Sequence, residues 1–86
     1  MKGICEICER EGQTTRHHVY FGVANRKLSE KYDMVADLCP DCHQYGKTAV
    51  HNCRTTDLRL KEKYQRIFEE THTREEFREI FGRSYL

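Results

Sequence analysis

The stretch CPDCHQYGKTAVHN, residues 39–52, decides how the chain is read. It places Cys39, Cys42, His43 and His51 within fourteen positions. These four side chains form one metal site, two metal sites, or one metal site beside catalytic groups. Cys39 and Cys42 bracket Pro40, which cannot extend a β ladder, so the segment reads as a knuckle rather than a strand. The same Cys-x-x-Cys spacing occurs at Cys5 and Cys8 in ICEIC, read as a tight turn between two thiolates, anchored by Ile4 and Ile7. Two such pairs supply the four ligands of a closed, tetrahedral, structural zinc site. The pairs must then meet in space, fastening the N-terminal knuckle to the segment after residue 38.

Size makes such a staple useful. A chain of 86 residues, 37% hydrophobic and 34% charged, has little apolar material for a core. Small domains of this kind commonly add a metal or disulfides. Zinc bound to a four-ligand knuckle contributes on the order of 10–16 kcal/mol, as much as or more than the stability of an ordinary domain. Cys53 is the fifth cysteine. An odd count in Cys-x-x-Cys pairs favours metal thiolates over disulfides, and Cys53 is expected to be a plain thiol. No secretory segment follows Met1 and no run is long enough to span a membrane. A reducing cytoplasm is therefore expected. The net charge of +1 gives no nucleic-acid signal by itself, so any such argument rests on local patches.

Around the knuckles, TTRHHVYF predicts a strand over residues 14–21, closed by Gly22. Residues 23–33 read as a polar connection with a helical turn after Ser29. MVADLC, residues 34–39, predicts a second strand. A short helix is expected from Asp41 or Cys42, weakened at Gly46. A longer helix is expected from a cap at Thr56 or Asp57, with Leu60, Tyr64, Ile67 and Phe68 on its buried face. Thr73 and Glu76 form a capping box for a last helix that buries Phe77, Ile80 and Phe81 and stops at Gly82.

Of the five histidines, His72 lies between the two C-terminal helices, where a solvated or capping role is expected. The other four surround the strand pair and the second knuckle. If Cys39 and Cys42 face zinc, His43 points elsewhere, because adjacent helical residues differ by about 100°. His17 and His18 point to opposite faces of a strand. His43 and His51 are eight residues apart, about 12 Å on a straight helix. His51 therefore reaches a shared metal only if the chain breaks at Gly46.

The order CEIC, RHHVYFG, LCPDCHQYGKTAVHN resembles the HNH nuclease family of ββα-metal folds, particularly its small phage-encoded members and phage recombination nucleases. The resemblance covers residues 5–53. It implies an α+β fold: a small zinc-stapled ββα-metal core over residues 1–54, extended by two C-terminal helices over residues 55–86, in one domain. It further implies a metal-dependent endonuclease that hydrolyses phosphodiester bonds in DNA. His18 takes the place of the general base, and His17 and His43 take those of the ligands to a catalytic divalent cation such as Mg²⁺ or Mn²⁺, with His51 a further ligand candidate. The Cys5, Cys8, Cys39 and Cys42 set holds the structural Zn²⁺. The segment DMVADLC lacks the Asn that usually precedes the second cysteine pair, and Asn25 or Asn52 would have to stand in for it. Arg16, Arg26, Lys27, Lys31 and Lys47 are candidates for phosphate contacts. Selectivity for a DNA site would then need a homodimer or a protein partner. The alternative is a zinc module that keeps the fold without the chemistry and binds nucleic acid or a protein.

Overall fold

The computed structural model describes residues 2–86. The chain forms an α+β fold of two small hairpins and three helices. Strand β1, Lys2–Ile4, pairs antiparallel with β2, Glu11–Gln13, in the register Lys2↔Gln13 and Ile4↔Glu11. Strand β3, Thr15–His18, pairs antiparallel with β4, Val35–Leu38, in the register Thr15↔Leu38 and His17↔Ala36. The first hairpin carries Cys5 and Cys8 in its turn, where Glu9 adopts a positive φ of 64°.

The knuckle is not anchored by its isoleucines. Ile4 is 63% and Ile7 39% exposed. Glu6 anchors it instead: its N–H donates to Asp37 O (2.9 Å), and its carboxylate accepts from Tyr64 Oη and, at 3.4 Å, from Lys63 Nζ. A charged residue suits this position because the turn lies against the polar edge of β4 and the helix that carries Tyr64.

The strand expected over residues 14–21 stops at His18, although Val19 N–H still bonds Met34 O at 3.0 Å. Beyond it, residues 23–33 are mostly helix rather than an open connection: α1 spans Val23–Lys31. Its sequence shows no apolar stripe, and its inward anchor is a polar one. Ser29, fully buried, donates to Tyr20 O (2.7 Å) and accepts from Tyr20 N–H (3.2 Å). A single serine thereby satisfies the backbone of the bend after β3 and fixes α1 alongside the hairpin.

After β4 comes one π-helical turn, Asp41–Tyr45, and then a return loop to α2, Arg54–Phe68. Helix α2 begins at Arg54 with Cys53 as its N-cap, not at a Thr56 or Asp57 cap. Ile67 is 42% exposed, a correction to its expected place in the core. Lys61 and Gln65 are buried on α2 in addition to Leu60, Tyr64 and Phe68. Gln65 is tolerated inside because its amide is used fully: Nε2 donates to Glu69 and Ser84, and Oε1 accepts Tyr85 N–H. Helix α3, Arg74–Phe81, carries the capping box of Thr73 and Glu76 and ends at Gly82 in the left-handed region (φ 90°). Tyr20 sits at the centre of the core. Its ring packs on Phe77, Phe81 and Tyr85, and its hydroxyl donates to Lys61 O at 2.6 Å. His72 stacks on Phe68 at 4.2 Å between centroids.

Candidate metal centres

Two clusters of metal-ligating side chains lie on either side of the second knuckle. The thiol groups of Cys5, Cys8, Cys39 and Cys42 have their sulfurs within 4.8 Å of one another. Thiolates held about 2.3 Å from one tetrahedral ion stand about 3.8 Å apart, and Cys8 Sγ lies 3.7 Å from Cys39 Sγ. The set is consistent with a structural Zn²⁺. Arg10 adds a positive charge at its rim, with Nε 3.4 Å from Cys8 Sγ and Nη2 3.9 Å from Cys39 Sγ. This guanidinium, with its own backbone N–H, draws the Cys8 thiol down to about 6. Burial pushes the Cys42 thiol up, the opposite direction to Cys8. Cys53 stands outside the cluster at the start of α2.

The second cluster is His17, His43 and His51, whose ring nitrogens also lie within 4.8 Å of one another. Each comes from a different element. His17 points inward from β3 and is 3% exposed. His43 sits in the π-helical turn, facing away from the thiolates with which Cys42 is engaged. His51 arrives from the return loop. The helix does break at Gly46, where a Cβ would stand 2.6 Å from Asp41 O. That leaves room only for glycine at the closing bond of the turn, Gly46 N–H to Asp41 O at 2.8 Å.

The loop then folds back along the turn. Val50 N–H donates to Cys42 O (2.8 Å) and His51 N–H to His43 O (3.3 Å). Asn52 staples the loop, its amide donating to Gln44 O and, at 3.1 Å, to Gly46 O. Eight residues of separation therefore shrink to 3.0 Å between His43 Nε2 and His51 Nε2. Asn52 holds backbone in this arrangement, with its amide N–H groups committed to two carbonyls.

The chemistry of the three rings fits a cation. Nitrogen ligands about 2.0–2.1 Å from one tetrahedral ion stand about 3.3 Å apart, near the spacing of His43 and His51. His17 Nε2 is buried without a hydrogen-bond partner among the described residues, a position that an unfilled polar atom rarely occupies. Burial, reinforced by His43, His51, Lys61 and His18, pushes the His17 imidazole down to about 3. Burial and His51 likewise lower His43. Neutral imidazoles are the form that binds metal. Thr15 bears on which nitrogen of His43 is free. Its hydroxyl lies 2.9 Å from Nδ1 and 3.4 Å from Leu38 O. When the hydroxyl gives its proton to that carbonyl, which can only accept, it accepts Nδ1–H and Nε2 keeps its lone pair for a cation.

His18, on the other side of β3, is held by Glu30 of α1, with Nε2 and Oε1 2.7 Å apart. Arg16 grips the same carboxylate with Nε and Nη2 at 2.8 and 2.7 Å. Between Arg16 and His18, Glu30 is drawn down to about 2, Arg16 contributing most. Despite the alternation of the strand, His17 and His18 both line one hollow of about 230 Å³, together with Arg16, Phe21, Arg26, His43 and His51. Of the phosphate-contact candidates, Arg26 lines this hollow, Arg16 is ion-paired at its edge, and Lys27 and Lys47 are exposed on α1 and the return loop. Lys31 lies over the Tyr32 ring at 5.5 Å.

Thr15, Phe21 and Glu30 are site residues that the sequence alone did not single out. Thr15 carries a usable signal, since it stands two positions before His17 and so shares its strand face. Glu30 carries none without α1. Among the described residues no helix is long and apolar enough to cross a membrane. Comparison with protein families, curated proteins and solved structures finds no match for the chain.

Proposed function

We propose that this protein is a metal-dependent endonuclease of HNH type that hydrolyses phosphodiester bonds in DNA. The observation that carries the reading is the meeting of three imidazoles from a strand, a turn and a loop beside a fourth histidine held by a carboxylate. The fold supports the reading in a coarser way: β3 and β4 pair antiparallel, with α1 between them in the chain, and the short π-helical turn that bears His43 follows directly.

His17, His43 and His51 would hold the cation, which when bound supplies positive charge for the phosphate and the leaving oxygen. The cluster contains imidazoles and no carboxylate. Such a donor set suits Zn²⁺, Co²⁺ or Ni²⁺ better than the oxygen-seeking Mg²⁺. His18 serves as the base. A carboxylate accepts only, so the ring must place its proton on Nε2 toward Glu30, leaving Nδ1 to take a proton from water. Imidazole suits this role because its ordinary pKa of about 6.5 lies near neutral pH. Arg26, exposed at the hollow, offers a charged contact to a phosphate beside the one cleaved.

The alternative, a zinc module without nuclease chemistry, gains from Arg16 being occupied by Glu30 and from the balanced overall charge. Nicking of supercoiled plasmid separates the two. We expect the parent to nick with Zn²⁺, Ni²⁺ or Mn²⁺, and His18→Ala to lose nicking while keeping its zinc and its fold. Absence of cleavage by the parent with every one of these cations, and with Mg²⁺, would overturn the nuclease reading in favour of the module.

A further inference from the structure

The hollow has an aromatic edge that neither metal cluster uses. Phe21 lies at the bend between β3 and α1, 47% exposed. Its ring centroid is 6.1 Å from that of His51 and 6.3 Å from that of His17. One face of the ring is covered: Lys61 Nζ sits 3.9 Å from the centroid. Lys61 is itself buried, and Asp57 Oδ2 holds its ammonium at 2.6 Å. The cation is thereby fixed against one side of Phe21. Arg26 lines the same hollow.

Accepting the nuclease reading, on which this inference rests, we propose that Phe21 is a stacking platform for one unpaired nucleobase of the DNA strand at the site. Phe21 differs from the other exposed apolar side chains, such as Tyr45 and Val23, in lining the hollow that holds the three imidazoles. Every nucleobase offers a π-face, and stacking on an aromatic side chain is a common way to hold single strands. The covered face decides between modes. An intercalating wedge enters between two stacked base pairs and meets bases on both sides. With Lys61 Nζ over one face and the residue 47% exposed, the ring offers at most one face, enough for a single base. In an intact duplex both faces of each internal base are already stacked. The platform therefore selects DNA with an unpaired base beside the scissile phosphate, as at a gap, flap or branch. Arg26 would hold a phosphate of that strand while the base lies on Phe21.

The test uses the absence of tryptophan from the chain. Phe21→Trp introduces a sole indole at the platform. In a His18→Ala background, without added cation, its emission should be quenched by a duplex carrying a short gap and little altered by the intact duplex of the same sequence. Phe21→Ala, and Phe21→Leu, which keeps apolar bulk without a ring face, should each weaken binding to the gapped duplex about tenfold or more. Their binding to the intact duplex should change less than twofold. Unchanged gapped-duplex binding in both variants, or an equal loss on intact duplex, would overturn the platform. If the parent cleaves DNA and the variants do not discriminate, this inference alone fails. If the parent neither binds nor cleaves DNA, it fails together with the nuclease reading.

Discussion

Replacing Thr15 with valine removes one oxygen and keeps the shape of the side chain. That oxygen lies 2.9 Å from His43 Nδ1, and in the metal-binding tautomer it accepts Nδ1–H, which leaves the lone pair of the ring on Nε2. In Thr15→Val, Nδ1 loses its acceptor. The ring is then free to turn about its Cβ–Cγ bond and to place its proton on either nitrogen, and only one of these states presents a lone pair to the cation. Removing a partner behind a metal-binding histidine lowers affinity about 10- to 100-fold, which corresponds to about 1.4–2.7 kcal/mol of binding free energy. Thr15 is exposed on its strand, so the fold should lose about 1 kcal/mol at most. The assay is calorimetric titration of Ni²⁺ into protein whose cysteine cluster is already filled with zinc, for the parent, Thr15→Val and Thr15→Ser. The serine variant keeps the oxygen and should bind within a few-fold of the parent. Parent-like affinity in Thr15→Val would refute the reasoning, as would an equal loss in Thr15→Ser.

Two further outcomes are expected. The purified protein should carry one zinc by elemental analysis, and Cys5→Ser should lose it and unfold cooperatively at far lower denaturant; full stability of that variant would remove the cysteine cluster from the fold's support. His17 gives a pH dependence: its imidazole is pushed down to about 3 in the fold against an unfolded value of about 6.5, so its contribution is complete above pH 6.5 and drains as pH falls toward 3, about 2 kcal/mol by pH 5. With the histidine cluster free of metal, denaturation midpoints should therefore fall further between pH 7 and pH 5 in the parent than in His17→Leu, and parallel declines would contradict it.

What the sequence made legible follows from which features are local. Cysteine pairs at a spacing of three encode a knuckle by themselves, and Thr73 with Glu76 encodes a helix start within four residues. The gathering of the four cysteines and the α+β arrangement follow from these and from the strand composition around His17. What stayed hidden was set by tertiary contact. Helix α1 exposes Val23 at 89% while burying Ser29, the reverse of what an apolar period signals, because Ser29 is bonded to the backbone of Tyr20. On α2, Lys61 joins the buried face, where Asp57, one turn earlier, holds its ammonium at 2.6 Å, while the expected Ile67 is 42% exposed. Glu30 became a partner of His18 only once α1 existed to carry it.

His51 shows the same limit in its sharpest form, and it also explains why one short segment can serve two clusters. The second cysteine pair ends at Cys42, and the π-helical turn begins within it. The return loop hangs on that turn through Val50 N–H to Cys42 O and His51 N–H to His43 O. The imidazole cluster is therefore built on backbone that the thiolate cluster fixes. The dependence is expected to run in one direction. Loss of a cysteine such as Cys42 should loosen the carbonyls to which the loop of His51 is bonded, and with them the 3.0 Å approach of His43 and His51. His43→Ala should keep its zinc content by elemental analysis, because the bonds of its turn run through N–H and carbonyl groups rather than through the imidazole; loss of zinc in that variant would contradict this. The histidine cluster thus shares its backbone with the cysteine cluster, and the arrangement demands glycine at position 46, where a Cβ would stand 2.6 Å from Asp41 O.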